Sequence, residues 1–217
     1  MQRDGFTRAD LRTPKAAAIA GLLFSVLLGA IFLLLRFAIP ADPREPGAWR
    51  NSQLTQIKFA MNLVPFASIA FLWFIGVLRD RLGQREDRFF ATVFLGSGLL
   101  FLGMLLILAA FTGGIVAAFE AQPRTIADSA TFHFARSAIY GIANIYMAKM
   151  AAVFMMTTSM VAIHTGIAPR WLAIVGFTLA PLLLFGSYYM TWIFMSFPLW
   201  VMFISAYVLR DNLRDAS

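Results

Sequence analysis

The chain has 217 residues, 60% of them hydrophobic, 15% aromatic and only 13% charged. A soluble domain carries roughly 25% charged and 45–50% apolar residues, so this surplus overfills any globular core, and a soluble enzyme, a disordered tail and a disulfide scaffold are excluded. With no cysteine there is no disulfide, iron–sulfur cluster or thiolate zinc site, and the net charge of +7 lies in short stretches beside apolar runs, without the interleaved aromatics of a nucleic-acid platform.

A membrane-spanning helix needs about 20 apolar residues to cross about 30 Å of hydrocarbon. The first such run covers 15–39 and is stopped by Pro40. Its apolar core, 16–35, is longer than the 7–15 residues of a cleaved signal. The second run covers about 59–78, the third 89–119 and the fourth 134–163. Between them, Asn51 or Ser52 is placed to cap the helix leading into the second span, and Asp128 or Ser129 the fourth. From Trp171 to Leu209 nearly everything is apolar. As one helix this stretch would measure about 58 Å, nearly twice the hydrocarbon thickness, so it is predicted to fold as a hairpin with its corner at Gly186–Ser187. The spans become 171–186 and 189–209. The expected fold is one all-α transmembrane domain of six helices, with the lipid bilayer as its first partner.

Charge orients it. With a cytoplasmic N-terminus, eleven basic residues (Arg3, Arg8, Arg12, Lys15, Arg79, Arg81, Arg85, Arg88, Arg170, Arg210, Arg214) face inward. Six (Arg36, Arg44, Arg50, Lys58, Arg124, Arg136) face outward, and Lys149 falls within a span. A five-span chain would reduce that bias to nine against eight. Six spans with both termini cytoplasmic satisfy the positive-inside rule better.

Lipid supplies no hydrophobic drive for helices to associate, so close contact relies on small residues. Ala17, Gly21, Ser25 and Gly29 recur every four residues on one face of the first helix, a seam for packing inside the bundle or between copies. Ser137 with Gly141, and Gly176 with Ala180, are shorter versions. Pro65, Pro181 and Pro198 fall inside spans and are expected to kink them.

Lys149 stands near the middle of the fourth span, where an ionised lysine costs at least about 2.5–3.5 kcal/mol. No Asp or Glu lies inside any span to neutralise it. It can lose its proton, line a wet cavity, snorkel to an interface or hold an anionic ligand. His133, Arg136, Tyr140 and Asn144 share one face of the same helix, and Lys149 points about 140° away from that line on an unbroken α-helix. Tyr140 and Asn144 are expected to bond across to Asn62 or Ser68 of the second helix. His133 and His164 are about 46 Å apart by helical rise and cannot ligate one iron. A retinal Schiff base on Lys149 lacks an intramembrane counter-ion. No zinc-protease, serine-hydrolase or phosphate-loop signature occurs, so no cofactor or metal is expected.

The second inner loop reads Gly76-x-x-x-Asp80-Arg81-x-Gly83-x-Arg85. It resembles the motif joining the second and third helices of major facilitator superfamily transporters, over ten residues. The resemblance implies that Asp80 and the arginines hold helix ends together in one state of a transport cycle. From the residues alone, Gly83 makes the turn while Asp80, Arg81 and Arg85 solvate and anchor it. The runs Phe71-Leu-Trp-Phe-Ile-Gly-Val-Leu-Arg-Asp-Arg-Leu-Gly83, Glu86-Asp-Arg-Phe-Phe-Ala-Thr-Val-Phe-Leu-Gly96 and Ala168-Pro169-Arg170-Trp171-Leu172-Ala173 resemble an uncharacterised bacterial six-helix integral membrane family, a domain of unknown function. That resemblance implies topology and a bacterial inner membrane only.

The functional expectation is a non-enzymatic membrane protein acting through assembly with itself, as a homo-oligomer, or with another membrane protein. The alternative is a small transporter or binder of an anionic or amphiphilic ligand, using Lys149, Asn144, Tyr140, Arg136 and Asn62. A third class, a membrane-embedded enzyme, would draw on Glu120, Asp128 and His133.

Overall fold

The computed structural model describes residues 13–38, 51–82, 88–121, 129–166, 168–187 and 189–214. Every regular element among them is helical. The order is α1 (Thr13–Ala38), α2 (Asn51–Leu82), α3 (Arg88–Ala121), then a fourth rod, followed by α6 (Arg170–Gly186) and α7 (Ser196–Arg214). The fourth rod comprises α4 (Ala130–Gly141), a π-helical stretch (Ile142–Met147) and α5 (Ala148–Thr165). Five stretches are long and apolar enough to cross a membrane: Ala18–Ala38, Gln53–Arg79, Phe89–Ala121, Ala130–His164 and Trp192–Arg210. The sixth helix, Arg170–Gly186, has 17 residues, about 26 Å of rise. The outside of the bundle is apolar, with Phe37, Phe66, Phe185 and Phe203 exposed. Water would not tolerate such a surface, whereas lipid does.

Local chemistry explains several element ends. Ser129 caps α4, its Oγ accepting from the Phe132 amide at 3.2 Å. Gly166 closes α5 in the left-handed region at φ 70°, where a side chain is disfavoured, and its amide donates to the Ala162 carbonyl at 3.1 Å. The expected corner forms where α6 ends. The amides of Tyr189 and Met190 both donate to the Gly186 carbonyl, at 3.0 and 2.9 Å. A 3₁₀ turn, Thr191–Met195, then leads into α7. Pro198 therefore does not kink a span as expected; it sits in the first turn of α7, where no intrahelical amide donor is required. Pro65 and Pro181 do lie inside helices.

The main packing partners run in sequence from α1 to α2, α2 to α3, α3 to the fourth rod, and α5 to α6. The ring closes where α7 leaves its hairpin partner and lies chiefly on α1. At its centre one phenylalanine arrives from each of five helices: Phe24, Phe71, Phe101, Phe154 and Phe197. All are fully buried, with ring centroids from 4.4 Å (Phe24–Phe71) to 6.2 Å (Phe24–Phe101 and Phe154–Phe197). Most pairs are edge-to-face, the arrangement the ring quadrupole favours. A second apolar layer joins Ala38, Leu54, Ile57, Val116, Phe119 and Phe132 at one end of the bundle. There Lys58 of α2 pairs with Glu120 of α3 at 2.6 Å. At the end of α1, Arg36 stands over the Trp192 ring at 5.6 Å. The start of α1 and the end of α7 consequently lie together at the opposite end.

Candidate functional site

The small-residue seam is used inside the bundle. A Cβ on Gly21 would overlap Ser205 Oγ of α7 and stand 2.8 Å from the Phe74 ring of α2. Ser25 is buried and its hydroxyl returns to the Gly21 carbonyl at 2.7 Å, the usual refuge for a serine in a helix. Gly29 has open space beside it, and the Ala17 side chain lies outside those described. Gly176 repeats the device on α6. A Cβ there would overlap Ser159 Oγ of α5 and stand 2.6 Å from Trp200 Nε1. The Trp200 indole instead donates to the Leu172 carbonyl at 3.2 Å, tying α7 to α6. Ser137 is exposed and Gly141 has no close neighbour, so that pair forms no seam.

The polar residues of the fourth rod do not form one enclosed cluster. Arg136 is buried, 5% exposed, near the Lys58–Glu120 end. Tyr140 and Asn144 are partly buried, whereas Asn62 on α2 and His133 are exposed. Asn144 does not bond across to α2 as expected; its side-chain amide donates to the Tyr140 carbonyl one turn back, at 3.1 Å. That bond stands where the rod changes from α to π winding, and it supplies a donor to a carbonyl at the transition. The π stretch bonds i to i+5, so the 140° offset expected for Lys149 on an unbroken α-helix does not hold. Short π segments concentrate at functional sites.

Lys149 itself is exposed on the outside of the bundle. It has no hydrogen-bond or ion-pair partner among the described residues. About 22 Å of helix separates it from His164 at the end of the same rod, and nearly as much from Arg136, so it stands mid-rod. No family model, curated protein or solved structure matches the chain. The geometry of its own residues must therefore carry the functional reading.

Of the loop motif, Gly76 is exposed with open space around it. The side chains of Asp80 and Arg81, and the whole of Gly83 and Arg85, lie outside the described residues. Two features escaped the sequence. Ser68, Thr158, Ser159 and Ser205 bury hydroxyl oxygens without a conventional hydrogen-bond partner. Two of those oxygens, Ser205 Oγ and Ser159 Oγ, fill the space a Cβ would take at Gly21 and Gly176. Arg36, read only as an outer basic residue, holds its buried Nε unbonded while its guanidinium covers Trp192. An aromatic at the hairpin tip paired with a basic residue ending α1 was its only signal, 156 positions apart in the chain (192 − 36).

Proposed function

We propose that this chain is a non-enzymatic, six-span protein of a bacterial inner membrane, with both termini cytoplasmic. In this reading it acts by assembling with itself or with another membrane protein through the outward face of α5. The observation that carries this is Lys149, exposed midway along the fourth rod and without a partner among the described residues. A lysine left to lipid at that depth costs at least about 2.5–3.5 kcal/mol, and cover by protein offsets that cost. The alternative, a transporter or amphiphile binder, needs a polar path or cavity. Five fully buried phenyl rings at the bundle centre favour assembly over passage between the helices.

The chain has no cysteine, so single cysteines report without background. Cysteines placed at Met156 or Ile163 should crosslink in native membranes to species heavier than the 24.1 kDa monomer. A cysteine at the exposed Phe203 of α7 should not. Recovery of monomer alone from the α5 positions would overturn the reading.

A further inference from the structure

Along the outward side of α5, exposed Lys149, Met156 and Ile163 alternate with half-buried Val153 and Met160. Lys149, Val153, Met156, Met160 and Ile163 follow one another at spacings of four, three, four and three, and exposed Tyr146 precedes them. That spacing draws one seam along an α-helix, the pattern by which two helices interlock side by side. The helix packs chiefly on α3 and α6, and Lys149, Met156 and Ile163 of the seam stay exposed.

Charge decides what can occupy it. The chain has eleven carboxylates, at positions 4, 10, 42, 45, 80, 86, 87, 120, 128, 211 and 215. Apart from Glu120, next to last in its stretch and already engaged by Lys58, none falls within Ala18–Ala38, Gln53–Arg79, Phe89–Ala121, Ala130–His164, Arg170–Gly186 or Trp192–Arg210. A second copy therefore has no acid to offer at the depth of Lys149. We propose that the seam receives one transmembrane helix of a different protein, bearing an Asp or Glu level with Lys149. A single polar group in such a seam fixes the register of the pairing, since any axial slip leaves both charges in hydrocarbon. The proposal rests on the assembly reading and adds the partner's chemistry to it.

The probe is a synthetic polyleucine–alanine helix of about 24 residues, long enough to span the bilayer, with one central Glu. Gln and Leu versions are the controls. Association with the full-length protein is measured by energy transfer in phosphatidylcholine vesicles. The Glu helix should bind at least tenfold tighter than the Leu helix, with Gln between them. Lys149→Met should erase the difference and Lys149→Arg preserve it. Lys149→Glu should transfer the preference to a probe carrying Lys, a gain that a misfolded variant could not produce. Equal binding of the Glu and Leu helices, or a Glu preference that survives Lys149→Met, overturns the proposal. Homo-oligomers that persist unchanged in Lys149→Met would overturn it too, while leaving the assembly reading intact. Crosslinking that yields only monomer would remove both.

Discussion

Gly21 and Gly176 show how two helices approach when neither water nor opposite charge draws them together. Each glycine leaves room for a serine hydroxyl from the facing helix, Ser205 and Ser159 respectively. Replacing Gly21 by Ala adds one methyl with nowhere to go, between Ser205 and the Phe74 ring. Alanine gains about 1 kcal/mol of helix propensity, but overpacking typically costs about 1–3 kcal/mol. The expected outcome is a net loss on the order of 1 kcal/mol in reversible detergent unfolding, and a larger loss with Val. Ser205→Gly should restore much of it, because the pair then exchanges roles. Gly29→Ala, facing open space, is expected to be neutral or stabilising. The periodicity of Ala17, Gly21, Ser25 and Gly29 was legible because four-residue spacing marks one helix face. Which of the four touches a neighbour was not, because that depends on where Ser205 arrives from a helix 184 residues later (205 − 21).

At the scale of elements, the fourth rod departs most from its sequence. Residues 134–163 read as one α-helix, and no proline interrupts them. The structure inserts π winding over Ile142–Met147, with Asn144 serving the Tyr140 carbonyl. Such a stretch sets the phase between the Arg136 face and the Lys149 face, so it governs which side chain meets which neighbour. Its backbone bonds are less regular than those of α5, and α3 is its principal neighbour outside the rod. Amide exchange at 142–147 should therefore outrun that at 149–158 by tenfold or more. Asn144→Leu, which removes the donor, should widen the gap. Comparable protection in both stretches would count against the π assignment. The hairpin was legible, by contrast, because a 39-residue apolar run cannot lie within one bilayer crossing, and Gly186–Ser187 was its weakest helical point.

For the molecule as a whole, the arrangement of contacts makes a prediction about sidedness. Lys58 meets Glu120 and Arg36 meets Trp192, so four helix ends gather at one end of the bundle. The start of α1 at Thr13 and the end of α7 at Arg214 then belong with the end of α2 and the starts of α3 and α6 at the other. Single cysteines at Arg81 and Ser217 should react with an impermeant thiol reagent from the same side of sealed membranes, and a cysteine at Glu120 from the opposite side. Labelling of Arg81 and Ser217 from different faces would dismantle the six-span reading and the placement of Lys149 within it.

The apolar excess, the lengths of the runs, the hairpin corner and a cap at Asp128 or Ser129 follow from the sequence alone, because each is a local matter of chain length, hydropathy or one backbone amide; that Ser129 is the one used came from the structure. The convergence of Phe24, Phe71, Phe101, Phe154 and Phe197, chosen from 22 phenylalanines, does not. Neither does the outward direction of Lys149. In water the contrast between polar and apolar faces announces which side of a helix is buried. In lipid a core phenyl ring and a surface one look alike in sequence, so only the packed tertiary structure separates inside from outside.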